Sequence, residues 1–308
     1  MIHVYTGTSS PVNSFGRITY SLMECFKRLG HEVLLSADEN LEYDVAVTNP
    51  NTKIKSKYLL TFWETTKLRS FDIENLKAQP DRKIIVTCDF TADTFAAAGI
   101  KTKKIRLSSE HSPLPLPKFN PFVFYTIYQD LGYWQRKRTH DILAAFLEAF
   151  PTQDDVRLVI KQGPTCAKLE SSDVRVKTIK VLLDNISFIH EEGHVCVSAC
   201  GAEGWGYPHH DAIAFGRPVI CPKIGGPVEF LDDSCAWLLP VNMVKAPNGF
   251  YCSSGEVGRL NVTELADTMY YAYSNRVEVM EKSTAAFVRA RSFTLDQMLV
   301  SVKSAFNL

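Results

Sequence analysis

Residues 194–226 constrain the fold of this 308-residue chain more than any other stretch, because strand, sharp turn, helix, strand and loop follow one another without a break. The run HVCVSAC at 194–200 reads as a short buried strand. Gly201 and Gly204 allow an abrupt turn. Gly206 and Pro208 then open a helix predicted over 208–215, since proline is tolerated where the first helical N–H would be unpaired anyway, and Gly216 ends it. A second apolar strand, PVIC at 218–221, runs into the loop Ile224, Gly225, Gly226 and Pro227, where the backbone can be closely approached. The helix start offers free N–H groups and a partial positive charge, which suit a phosphate. Glu203 precedes that helix and Asp211 lies on it. Two carboxylates beside an anion would repel it, so they read as acceptors for hydroxyl groups, which sugars and riboses supply.

The rest of the chain alternates in the same way. In the first half, a strand at 2–6 is followed by a polar Gly/Ser/Pro/Asn loop over 7–14 and a helix with Ile18, Leu22, Cys25, Phe26 and Leu29 at helical spacing, stopped by Gly30. Further strands are predicted at 31–35, 43–47, 58–62, 83–87 and 104–107. The segment SSEHSPLPLPKFNP, 108–121, carries four prolines and reads as an interdomain linker. A second set follows, with a strand at 122–128, a helix at 138–149 and a strand at 156–160. The stretch 263–306 reads as all-helical, with Phe287, Leu295, Met298, Leu299, Val302 and Phe306 as its apolar stripe. Such alternation predicts an α/β chain with parallel sheets covered on both faces.

Lys and Arg number 34, as do Asp and Glu, so no global field points to nucleic acid or an acidic polymer. The clusters Lys53, Lys55, Lys57 and Lys101, Lys103, Lys104, Arg106 read as solvated faces, with lipid phosphate or an anionic acceptor as the alternative. No apolar run is long enough to span a bilayer, and the chain starts directly as a strand, which sets the expectation of a cytoplasmic protein. The cysteines number eight and lack paired metal spacing; Cys196, Cys200 and Cys221 lie in apolar runs and are read as reduced core residues. His3, His111 and His190 fall into no metal spacing, and His209 and His210 read as helix-start residues.

The pattern EGWGYPHHDAIAFGRPVI, continued by Gly225, Gly226 and Glu229, resembles the signature of retaining GT-B glycosyltransferases, the GT4 family in particular. That resemblance implies two Rossmann-like domains facing across a cleft, with a C-terminal helix crossing back to the first. The corresponding division is 1–115 on the acceptor side, 122–290 for the donor and 291–308 for the returning helix. It also implies that Glu203 contacts the hydroxyls of the donor sugar and Asp211, where the family has Glu, the ribose. Gly204, Trp205, Gly206, Tyr207, Gly225 and Gly226 complete the implied donor site. The segment QRKRTHD before Ala145 and Phe146 resembles the family's RKGxDxLLxAF element, whose Lys reaches the pyrophosphate. Lys137 takes that place when counted from Ala145, and Arg138 when counted from Asp141. The family's upstream Arg finds no match, Asp130 and Leu131 lying near its place.

Gly16 and Arg17 follow the first strand as the family's first-domain glycine turn does; the alternative is a plain turn with a surface arginine. Trp63 and Glu64 resemble an acceptor-side element of some members, Trp63 offering a stacking face and Glu64 a hydroxyl acceptor, against core packing of the indole. Lys161, at the end of a predicted strand, is expected to point into the cleft. The activity implied is retaining, metal-independent transfer from a nucleoside diphosphate sugar to an acceptor hydroxyl, with no cofactor. The acceptor is open among a glycan, a lipid-linked sugar and a small molecule, with a protein or modified nucleic acid less expected. Peripheral membrane contact stays open too. Two rivals stand beside this reading: a GT-B-fold sugar-nucleotide epimerase and a catalytically silent sugar-nucleotide-binding module.

Overall fold

Apolar strands separated by helices build two parallel sheets of six strands each. They are seen in a computed structural model that describes residues 1–7, 13–128, 134–163, 166, 169–181, 186–247 and 255–308. The first half runs β1 (Ile2–Thr6), α1 (Ser14–Arg28), β2 (Val33–Ser36), β3 (Glu42–Val47), β4 (Lys55–Leu60), α2 (Ser70–Lys77), β5 (Lys83–Val86), α3 (Asp89–Ala97) and β6 (Thr102–Lys104). Its sheet order is β2-β1-β3-β4-β5-β6, and every pairing is parallel. The second half runs β7 (Phe122–Tyr128), α4 (Trp134–Lys137), α5 (Thr139–Ala149), β8 (Val156–Gln162), β9 (Val176–Lys180), α6 (Ser187–Glu191), β10 (Val195–Val197), α7 (Tyr207–Ala214), β11 (Val219–Pro222) and β12 (Ala236–Leu239), with a 3₁₀ turn at Gly226–Glu229. Its order is β12-β11-β10-β7-β8-β9, again parallel throughout.

These orders locate the sites where ligands can bind. In an open parallel sheet the helices on either side of the strand where the order reverses diverge, leaving a crevice at the carboxyl ends of the strands. In the second sheet that point lies between β7 and β10, and in the first between β1 and β3.

Helix α1 forms as its spacing predicts. The Asn13 side chain caps it by accepting the Gly16 N–H at 2.8 Å, and Ile18, Leu22, Cys25 and Phe26 are buried. Gly30, at φ 84°, turns the chain out of it. The proline-rich linker is held to the second half by Arg217, which is wholly buried and donates to the carbonyls of His190, Leu114 and Pro115 at 2.8–2.9 Å. A guanidinium spreads five N–H donors over a planar fork, so one side chain can reach carbonyls of the linker and of the second half at once.

After β12 come a hairpin of β13 (Asn242–Lys245) and β14 (Glu256–Arg259), then α8 (Val262–Ser274), α9 (Arg276–Ala290) and α10 (Leu295–Phe306). The hairpin was not foreseen. Its turn falls on residues outside those described, as do 8–12 of the first polar loop, Asp130, Leu131 and Cys252. The predicted all-helical close is met by α8, α9 and α10. Helix α10 returns to the first half and packs on α1 and β6. There the Phe306 ring lies 4.7 Å from that of Tyr58 and 5.3 Å from that of Phe26, and Tyr58 donates its hydroxyl to the Phe306 carbonyl at 2.6 Å. The seven cysteines described are free and buried. No helix of the described residues is long and apolar enough to cross a membrane.

Candidate active site

The crevice between β7 and β10 holds a small recess lined by Thr126 and Ile127 from β7, Cys196, Val197 and Ser198 from and after β10, Lys137, Thr139, Glu203, Pro208 and His209. Glu203 sits in the turn between β10 and α7, 6% exposed. Its position is set by the two glycines of the following loop. Gly226 donates its N–H to the Glu203 carbonyl at 2.8 Å, and a Cβ on Gly225 would lie 2.5 Å from the same oxygen. Gly225, at φ 70°, also needs the left-handed freedom that glycine alone has at no cost. The chain's own 203–205 backbone therefore lies against this loop and by itself accounts for both glycines.

Four charges meet at the cleft. Lys137 Nζ contacts Glu203 Oε1 directly. Arg136 Nη1 lies 3.4 Å from Glu203 Oε2 and donates at 3.0 Å to Glu64 Oε1 of the first half and at 3.1 Å to the Ala202 carbonyl. Burial raises the pKa of both carboxyls, but the outcomes diverge. At Glu203 the adjacent Lys137, then Arg136, overcome burial and hold the carboxyl below its usual range, at about 2. At Glu64 burial wins over Arg136, helped by repulsion from Glu203, so that carboxyl is raised. Its Oε2 is buried without a hydrogen-bond partner. One carboxylate stays ionised beside its two cations while burial pulls its neighbour across the cleft towards the acid.

Of the two registers of the basic element, the one counted from Ala145 names the side chain that faces Glu203. Lys137 is the side chain at Glu203, whereas Arg138 turns away and pairs with Asp141 at 2.5 Å. Arg138 stands at φ 48°, ψ 39°, the left-handed position where the family's element has glycine. Arg136, passed over in the sequence, is the bridge across the cleft; three adjacent cations give no periodicity by which to choose among them.

Asp211 is 3% exposed and already spent. It takes a two-point ion pair from Arg17 of α1, at 2.7 and 2.8 Å, accepts the Ser109 hydroxyl at 2.6 Å and lies 3.4 Å from His111 Nε2. Burial opposes its ionisation, but Arg17, then the hydrogen bonds, leave it far below the usual carboxylate range. Arg17 in turn lies 3.9 Å over the Tyr207 ring. The carboxylate expected to meet a ribose and the cation expected to meet a phosphate thus satisfy each other between the two halves. Ser109 and His111, on the linker, gave no sign of this in the sequence.

The remaining expectations divide. Gly16 lies in the first turn of α1 with its N–H taken by Asn13, so that donor is not offered to a ligand. Gly204 packs on Phe62, and its carbonyl accepts the Thr87 hydroxyl of the first half at 3.0 Å. Gly206 caps α7 at φ 93°, but its carbonyl takes the N–H groups of His209 and His210 at 3.0 and 3.1 Å, and Pro208 has none. The start of α7 is accordingly a poorer phosphate cradle than expected. Trp205 is a core residue, its indole donating to His210 Nδ1 at 3.1 Å among Phe230 and Phe293. Trp63, 1% exposed, offers no stacking face: its indole donates to the Lys67 carbonyl inside the first half. Lys161 is the penultimate residue of β8, in register with Ile127, which places it one strand beyond the recess. Burial lowers its pKa. Among the described residues no group of three or more His, Cys, Asp and Glu is placed to hold a metal ion.

No protein-family model matches the sequence, and no curated protein matches it. Two parallel Rossmann-like halves joined by a linker, with their strand ends facing and the last helix returning, define the GT-B fold, and solved GT-B glycosyltransferases are the chain's structural neighbours. HepE of Anabaena, solved with UDP and glucose, superposes with a TM-score of 0.68 at 14% identity over 99% of both chains. Sucrose-phosphate synthase from Thermosynechococcus elongatus does so at 0.69 and 12% identity, over 99% of this chain and 98% of that one. WaaG, a glycosyltransferase involved in lipopolysaccharide biosynthesis, gives 0.65 at 9% identity over 99% of both chains. The chain spans only 58% of TarM, at a TM-score of 0.62 and 15% identity. Identities this low carry the fold.

Proposed function

We propose that the chain is a retaining glycosyltransferase that moves a sugar from a nucleoside diphosphate sugar to an acceptor hydroxyl. The observation that carries this is the Glu203–Lys137 pair, buried at the reversal point of the second sheet and tied through Arg136 to Glu64 of the first. The neighbour HepE has been solved with UDP-glucose, which supports the same class of donor here.

When a glycosyl phosphate bond breaks, negative charge grows on the departing diphosphate, and a preorganised cation is worth most in a site that excludes water. Lys137 and Arg136 are the cations at hand. Their release from Glu203 towards the donor phosphate leaves that carboxylate free to accept hydrogen bonds from the sugar hydroxyls. Glu64 receives the acceptor hydroxyl from the first half, and the departing phosphate takes its proton, so the sugar keeps its anomeric configuration without a side-chain nucleophile. This reading assigns 1–115 to the acceptor, 122–290 to the donor and 291–308 to the crossing helix, and places the reaction in the cytoplasm. It requires neither a cofactor nor a metal: turnover of the accepted donor is expected to be unchanged in EDTA, and a loss restored by one divalent cation would refute that part.

The saturation of Asp211 by Arg17, Ser109 and His111 favours a second reading, a silent nucleotide-sugar-binding module. One experiment separates the two. Purified protein is offered UDP-, GDP-, ADP- and dTDP-sugars, and nucleotide release is followed for the wild type and Glu203→Gln. Release that falls by about a hundredfold or more in the variant supports transfer; binding without release in either protein leaves the silent module.

A further inference from the structure

One side chain in the recess has no part in the transfer outlined above and keeps one ring nitrogen without a partner in the protein. His209, the third residue of α7, is 2% exposed and lines the recess beside Glu203 and Lys137. Its Nδ1 lies 3.3 Å from the Gly206 carbonyl oxygen. A carbonyl only accepts, so Nδ1 carries the proton and Nε2, at the opposite edge of the ring, carries the lone pair. Nε2 is buried without a hydrogen-bond partner. Burial keeps the ring neutral by pushing its pKa down to about 4, although Glu203 pulls the other way.

A buried acceptor left unpaired is costly, and among the described residues with a buried polar side-chain atom lacking a partner, His209 is the one that lines the recess. The chemistry of that partner follows from the lone pair. A phosphate oxygen or a carboxylate would be repelled; a hydroxyl group would be bound. Glu203, also an acceptor and held ionised, lines the same recess, so two acceptors of different geometry belong to one site. Such a pair selects for hydroxyls in a fixed relative orientation, which distinguishes one sugar epimer from another, because a buried polar group denied its partner discriminates strongly.

We propose that His209 Nε2 accepts a hydrogen bond from a hydroxyl of the donor sugar and is a specificity-determining residue of this enzyme. The inference rests on the donor-site reading above. It gives the HH step in the sequence a meaning: His210 packs on Trp205 in the core, while His209 lines the recess.

Paired calorimetric titrations test it, with UDP and UDP-glucose, GDP and GDP-mannose, and dTDP and dTDP-glucose, on the wild type, His209→Leu and His209→Gln. Gln carries an acceptor oxygen at about the reach of Nε2; Leu fills the space without one. For the pair that binds, His209→Leu is expected to weaken the nucleotide sugar about tenfold while leaving the bare nucleotide unchanged, and His209→Gln to restore most of the loss. Equal weakening of both ligands, or no weakening of either, overturns the role of His209 and leaves the donor site standing. Failure of every wild-type titration overturns the donor-site reading and this inference with it. Thermal melts without ligand guard against a fold defect, since a variant as stable as wild type that loses only the sugar contribution has lost a contact.

Discussion

Arg138 shows how one side chain can obscure a motif. Left-handed backbone costs a residue with a Cβ about 1 kcal/mol or more, and Arg138 adopts it at φ 48° while its guanidinium pairs with Asp141. Arg138→Gly relieves the strain and gives up a partly exposed ion pair worth about 0.5 kcal/mol. We expect an unchanged or slightly raised melting temperature and donor turnover within a few-fold of wild type, whereas Lys137→Met should lower kcat/KM by about a hundredfold; kinetics on both variants checks the assignment. Asp211→Asn acts differently. It leaves Arg17 facing a neutral partner in a buried site, and removing one member of such a pair costs about 3–5 kcal/mol. The denaturant midpoint should fall accordingly, and a variant that instead unfolds like wild type but binds nucleotide less well would return Asp211 to the ribose. At this scale the sequence was partly legible. Glu203 and Lys137 were singled out by the resemblance of their motifs, and the structure brings the two side chains into contact. That Asp211 is neutralised from the other half could not, since its partner lies 194 positions away and no local spacing records it.

At the scale of elements, strands and helices were read where apolar spacing is strong, and their ends were displaced where charged residues extend a strand beyond its core. Strand β4 begins at Lys55, three residues before its buried part. The hairpin β13–β14 was missed because both of its strands are mostly exposed and mixed in polarity, so neither shows alternation. What holds it is glycine: Gly258 donates its N–H to the Gly201 carbonyl at 2.9 Å, and a Cβ on Gly201 would lie 1.6 Å from the Gly258 carbonyl oxygen. Gly201→Ala must therefore push the hairpin away. The hairpin also exchanges hydrogen bonds with Thr66, two residues from Glu64, so the substitution is expected to reduce turnover with little effect on nucleotide binding. Helix α10 depends on its terminal ring: Phe306→Ala should cost about 3–5 kcal/mol by emptying the site between Tyr58 and Phe26, read as a lowered unfolding midpoint.

Across the whole molecule, four buried histidines make stability depend on acidity. Burial is the leading cause at each, lowering His190 and His210 to about 3 and His194 and His209 to about 4. Their pKa values are lower folded than unfolded, so the unfolded chain binds more protons between pH 6.5 and about 4. Stability is whole above that window and is lost as pH falls through it, by up to about 1.4 kcal/mol per pH unit for each histidine. Unfolding midpoints measured from pH 7.5 to 4.5 should fall continuously; a flat profile would contradict neutral burial. The overall architecture was the most legible feature of all, because alternation and a proline-rich break suffice for two parallel sheets, whereas the manner in which the halves close on each other depends on pairs far apart in the chain. Those pairs, Arg17 with Asp211, Arg136 with Glu64, and Lys104 with Glu229, each join a cation on one half to a carboxylate on the other. The second half is therefore not a module to be transplanted: a chimera that joined it to the first half of another GT-B-fold protein would inherit orphaned buried ions, and only a graft that carried Arg17, Glu64 and Lys104 with it would be expected to fold.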